Sequence, residues 1–181
     1  MSMKEPFIIH LRLARARHLK WLNNVKLLVS GLSVDGTLLP LNQSESEFGI
    51  WLYEEAMAFS ISGSRSVLAE MDALHTRCYH HFLQIHHLFA GTRRGGLFQT
   101  LFGTKRAGES ELILAQKYYE ELVEVSDALL GRLRVFESQM MATPESKFDE
   151  LVLNAEAPAE HLDIATPASK VQRMYRGQPV D

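Results

Sequence analysis

The sequence predicts an all-α protein: an antiparallel four-helix bundle that pairs with a second copy and ends in a mostly irregular tail. Three observations predict it. Apolar residues recur at steps of three and four, and few stretches alternate with the period of two that a strand needs. Each periodic stretch carries one apolar seam, which must be buried against a neighbour. The stretches are separated by segments that carry glycine and proline.

The first helix carries Phe7, Leu11, Ala14, His18, Trp21, Val25, Leu28 and Leu32, a heptad-like seam of the kind that pairs helices. Pro6 suits its first turn, and Gly31 with the later Asp35-Gly36 supplies the stop. A connection through Pro40 leads to a shorter helix. Ser44-Glu45-Ser46-Glu47 matches the capping box, in which the serine accepts a free amide and the glutamate reaches back. That helix presents Phe48, Trp51, Leu52 and Phe59 and closes between Ser60 and Ser64. Gly49 within it costs about 1 kcal/mol against alanine, which points to close packing against another backbone. The third helix carries Leu68, Met71, His75, Cys78, Phe82, Ile85 and Phe89 and stops at Gly91. A basic, glycine-containing loop follows, with Leu97-Phe98 and Leu101-Phe102 expected to dock on the bundle. The fourth helix carries Ala115, Tyr118, Leu122, Val125, Leu129, Leu133, Phe136 and Met140.

From Thr143 the composition changes, with Pro144, Pro158, Pro167 and Pro179 interrupting a polar segment. The organisation expected is a helical bundle over 1–142 and a flexible tail over 143–181, which orders on a partner. Within that tail, Glu145 to Asn154 is given a helical turn or two around Phe148, Leu151 and Val152.

Composition narrows the class of function. The 181 residues are 46% hydrophobic and carry 19 basic against 22 acidic side chains, a net charge of −3. So balanced a charge gives no general field for nucleic acid, and none is expected as a partner. No apolar run approaches the roughly 20 residues of a membrane span, and the N-terminus has no cleavable signal pattern. One cysteine, Cys78, makes no bridge within the chain, as in a reducing compartment. The expected location is the cytoplasm.

Most of the eight histidines read as ordinary surface residues, including His80, His81, His86 and His87. His18 and His75 do not. Each replaces an apolar residue in mid-seam, on separate helices, and a buried imidazole without partners costs about 1–3 kcal/mol. Two readings stay open: core histidines bonded to neighbours, or a pair facing across the bundle around a metal, a water or a carboxylate.

These residues sit in a recognisable order. His18-Leu19-Lys20-Trp21, then Ser46-Glu47-Phe48-Gly49-Ile50-Trp51, then Met71-Asp72-Ala73-Leu74-His75 resembles the chemoreceptor zinc-binding (CZB) domain family over roughly residues 7–142. Its members occur on bacterial chemoreceptors and at the N-terminus of zinc-controlled diguanylate cyclases. The family pattern joins His-x-x-Trp, Cys-x-Leu/Phe-Gly-x-Trp and His-x-x-x-His helices around a tetrahedral zinc. Here His18 and His75 fall on two ligand positions, while Ser46 replaces the cysteine and Tyr79 the last histidine. A serine hydroxyl and a protonated phenol are poor zinc ligands, so zinc is not expected to bind tightly. Cys78, three residues after His75, offers a remodelled His18, His75 and Cys78 site, with Glu47, Asp72 or water as a fourth ligand. As a simple alternative, Cys78 is a small buried hydrophobe.

Other chemistries find less. A di-iron bundle needs two Glu-x-x-His motifs, and Asp72-Ala73-Leu74-His75 is the only near match. No attachment motif supports haem, no nucleophile elbow appears, and no glycine-rich loop could cradle phosphates. Arg12, Arg15, Arg17 and Lys20, like Arg93, Arg94, Lys105 and Arg106, form either solvated faces or an anionic docking surface. The resemblance therefore implies a non-catalytic bacterial signalling protein, a homodimeric CZB-like domain acting in trans on a partner in cyclic di-GMP or chemotaxis-type signalling. The partner, whose identity the sequence does not give, would dock on the tail or the long loop. A metal sensor using the remodelled site and a ligand-free scaffold binding proteins through its tail are the alternatives.

Overall fold

The computed structural model describes residues 3–32, 34–61, 63–93 and 108–156, and within these every regular element is helical. Five α-helices occur: α1 (Lys4–Val29), α2 (Glu47–Glu54), α3 (Arg65–Arg93), α4 (Glu109–Ala142) and α5 (Glu145–Glu156). Short 3-10 turns at Gly36–Leu38, Gln43–Glu45 and Ala56–Ile61 join them.

The seams go where their spacing sends them. Leu11, Ala14, His18, Trp21, Val25 and Leu28 of α1 are buried, as are Leu68, Met71, His75, Cys78, Phe82 and Ile85 of α3 and Leu122, Val125, Leu129, Leu133 and Phe136 of α4. Leu32 is an exception, 56% exposed, because the helix has already ended. Gly31 adopts φ 76°, a conformation L side chains resist, and lets the Leu32 amide donate to the Leu27 carbonyl at 3.0 Å.

Side-chain contacts fix the directions of neighbours. Glu70 meets Arg132 at 2.9 Å and His81 meets Glu121 at 3.3 Å, so α3 and α4 run in opposite directions. His18 bonds Ser126 and Arg12 bonds Glu137, which sets α1 against α4 in the same manner. Arg12 of the basic first helix is thereby neutralised at 2.7 Å.

Three boundaries differ from expectation. The cap of α2 is Ser46 rather than Ser44: the Ser46 hydroxyl accepts from the Gly49 amide at 2.9 Å, while Ser44 lies in a 3-10 turn capped by Asn42. Helix α3 passes through Gly91 to Arg93, since one glycine costs a long, packed helix only about 1 kcal/mol. The segment given a turn or two is the twelve-residue helix α5, and the packed unit continues beyond residue 142. Phe148 is the reason. It is fully buried, with its ring 5.5 Å from Phe7 and 5.0 Å from Phe59. The expected docking of Leu97-Phe98 and Leu101-Phe102 and the expected tail from residue 157 onward lie outside the described residues. No described helix is long and apolar enough to cross a membrane.

Candidate functional site

The site begins with a backbone collision that only glycine avoids. The chain turns so sharply into α2 that a Cβ at position 49 would strike the Gln43 carbonyl oxygen and lie 2.8 Å from the Ser46 hydroxyl. Glycine at 49 therefore allows this turn, and the turn delivers Ser46, Phe48 and Trp51 to the interior.

There they meet the two seam histidines. His18 is 2% exposed and His75 1%, and the Phe48 ring packs on both, 5.3 Å from the first and 5.1 Å from the second. The structure thus brings the two rings that sequence spacing singled out into one neighbourhood, with Phe48 packed on both. Trp21 stacks on Tyr79 at 5.3 Å, and Tyr79 meets His75 edge-on at 5.2 Å.

Each histidine has a serine. His18 Nε2 lies 2.8 Å from the Ser126 hydroxyl of α4, a partner that the sequence reading missed. The available signal was a small polar residue four positions after Leu122 and four before Leu130, both buried. His75 Nε2 lies 3.4 Å from Ser46 Oγ. That hydroxyl gives its one proton to the Gln43 carbonyl at 2.8 Å and accepts the Gly49 amide, so toward His75 it can only accept. His75 therefore carries its proton on Nε2, a tautomer assigned from the hydrogen-bond network. Its Nδ1 is left as a buried acceptor without a partner.

Burial sets the charges. Desolvation, then the neighbouring His75, lowers the His18 pKa to about 4, and desolvation alone lowers that of His75 to about 4. Both rings are neutral at pH 7. Burial also pushes the Tyr79 phenol up to about 12, with Ser46 pulling slightly the other way, and the Cys78 thiol up to about 12.

A cavity of about 270 Å³ opens beside these groups. His18, His75, Trp21, Phe48, Ser46 and Tyr79 line it, and Arg17, Lys20, Glu45 and Glu47 contribute charges of both signs. Arg17 and Glu47, both exposed, pair at 3.4 Å. Glu47 thus meets α1 instead of closing a capping box. Cys78 is buried but does not line this cavity.

Tight zinc needs four good donors, usually thiolate, imidazole or carboxylate. His18 Nε2 is engaged with a serine, the Ser46 hydroxyl has its proton committed, and Tyr79 and Cys78 hold theirs firmly. Among the described residues, no three His, Cys, Asp or Glu side chains converge as a metal site requires. The residues present do not fit the zinc that the resemblance implied. Nor do the serine–histidine pairs form an activated nucleophile. Ser126 is fully buried off the cavity, and Ser46 directs its proton to a carbonyl rather than to His75. Comparison with protein-family models, with curated proteins and with solved structures finds no match to this chain.

Proposed function

We propose that this chain is a non-catalytic regulatory domain, a CZB-like antiparallel four-helix bundle that works in the bacterial cytoplasm as a homodimer. It acts in trans on a partner in cyclic di-GMP or chemotaxis-type signalling. One observation carries the reading: the cavity within the helices is bordered by two neutral, buried histidines contributed by α1 and α3. A spacer or scaffold gains nothing from imidazoles in its core, since burying them costs stability. A sensor gains a place where occupancy changes helix packing, and α1, α2 and α3 all contribute residues to that place. The order of His18, Trp21, Phe48, Gly49, Trp51 and His75 supports the family likeness, although Ser46 and Tyr79 replace two of its zinc ligands.

Deleting the gene in its host is the test. The expected result is a changed cyclic di-GMP level or altered chemotactic swimming, restored by the wild-type chain supplied separately. Unchanged signalling in the deletion strain contradicts the reading.

A further inference from the structure

The cavity between α1, α2 and α3 is built in two layers. Its deeper wall is aromatic and uncharged: Trp21, Phe48 and Tyr79 line it and are at most 7% exposed, and the two histidines beside them are neutral. Its outer wall is charged, since Arg17, Lys20, Glu45 and Glu47 line the same cavity and all are exposed. An ion carried to the deeper wall loses its water without compensation, whereas one held at the outer wall keeps part of its hydration.

The outer charges do not all satisfy one another. Arg17 pairs with Glu47, but among the described residues Lys20 and Glu45 have no partner of opposite charge. Burial is the main cause that raises the Tyr79 pKa, Ser46 lowers it, and Glu45 is among the smaller causes that raise it, so the Glu45 carboxylate lies near the aromatic wall. A phosphate at this mouth meets Glu45 and Glu47, and a metal cation meets Arg17 and Lys20, so a charge of one sign finds as much repulsion as attraction. A molecule carrying both signs finds a partner for each. The volume of about 270 Å³ is just below the ~300–1,000 Å³ of drug-sized pockets, so that molecule is small.

We propose that this cavity binds a free α-amino acid with an apolar side chain. Its carboxylate lies against Lys20, its ammonium against Glu45, and its side chain enters among Trp21, Phe48 and Tyr79. The inference rests on the regulatory reading above and gives its signal a chemistry.

The test is a titration of the full chain at pH 7 with L-phenylalanine and with L-leucine, read by the Trp21 indole N–H signal in a ¹H–¹⁵N correlation spectrum. Three incomplete probes are titrated separately: 3-phenylpropanoate lacks the ammonium, 2-phenylethylamine the carboxylate and glycine the side chain. The expected result is saturable binding of at least one of the two amino acids with a Kd in the millimolar range or tighter. The incomplete probes bind at least about fivefold more weakly. Lys20→Gln and Glu45→Gln each weaken the amino acid about threefold or more. Arg15→Gln and Glu54→Gln remove the same charges away from this cavity and leave binding unchanged. Unchanged thermal unfolding midpoints show that the variants are folded. The inference is overturned if neither amino acid moves the Trp21 signal, if an incomplete probe binds as well as the amino acid, or if Lys20→Gln or Glu45→Gln binds like the wild type. In each of those cases the regulatory reading still stands or falls on the gene deletion.

Discussion

At the scale of single residues, the protein keeps two imidazoles neutral in its interior, and that choice has a measurable consequence. Both have pKa values lowered from 6.5 to about 4. Between those values the unfolded chain binds protons that the folded chain refuses. Stability is therefore complete above pH 6.5 and is lost as pH falls toward 4, by up to roughly 3 kcal/mol per ring. Urea unfolding at pH 7 and at pH 4.5 should show this loss, and His18→Leu should flatten the profile. A profile unchanged by that substitution contradicts the burial. Ser126→Ala leaves His18 Nε2 without its hydroxyl and should lower stability by about 1–3 kcal/mol; a neutral result in urea would show the 2.8 Å pairing to be dispensable. Residue identity was the legible part of this site. Histidines in mid-seam announced themselves, whereas Ser126 did not, because a serine among leucines reads equally as a small core residue. The tautomer of His75 was also hidden, since it depends on where Ser46 sends its proton.

At the scale of elements, α2 is short, capped by Ser46 and entered through Gly49. Gly49→Ala drives a methyl group against the Gln43 carbonyl, and its cost should reach at least ~2 kcal/mol by overpacking. Thermal unfolding of that variant at the wild-type midpoint would disprove the close approach. Sequence periodicity located α1, α3 and α4 well, because a long seam repeats its signal many times. The end of α1 at Gly31 was likewise readable, since a left-handed residue leaves few alternatives to glycine. The start of α2 was misplaced by two residues because Ser44 and Ser46 offer equally good caps by residue type. Tertiary contact decides between them: Ser46 also faces His75. The same limit applies to α5, whose amphipathic pattern is brief and whose neighbour Phe7 lies 141 positions away in sequence.

At the scale of the whole molecule, two regions of the interior do different things. One end is an aromatic plug of Phe7, Phe59, Phe136 and Phe148. The middle is a cavity bordered by the two histidines. The plug joins α5 to the bundle, so Phe148→Ala should lower stability by about 3–5 kcal/mol. A chain ending at 142 should melt well below one ending at 156, and equal midpoints by calorimetry would show that α5 adds nothing. The all-helical class followed from periodicity alone. How far the packed unit extends did not, because a proline-containing polar segment reads as tail until a single phenylalanine is seen to insert.

The central claim is that two histidines, distant in sequence, lie buried and neutral against Phe48. Imidazole nitrogen shifts followed by ¹⁵N NMR from pH 8 to pH 4 measure it most directly. The account predicts that His18 and His75 stay uncharged until pH approaches 4, with the His75 proton on Nε2. Either ring gaining its charge near pH 6.5, as a solvated histidine does, would contradict it.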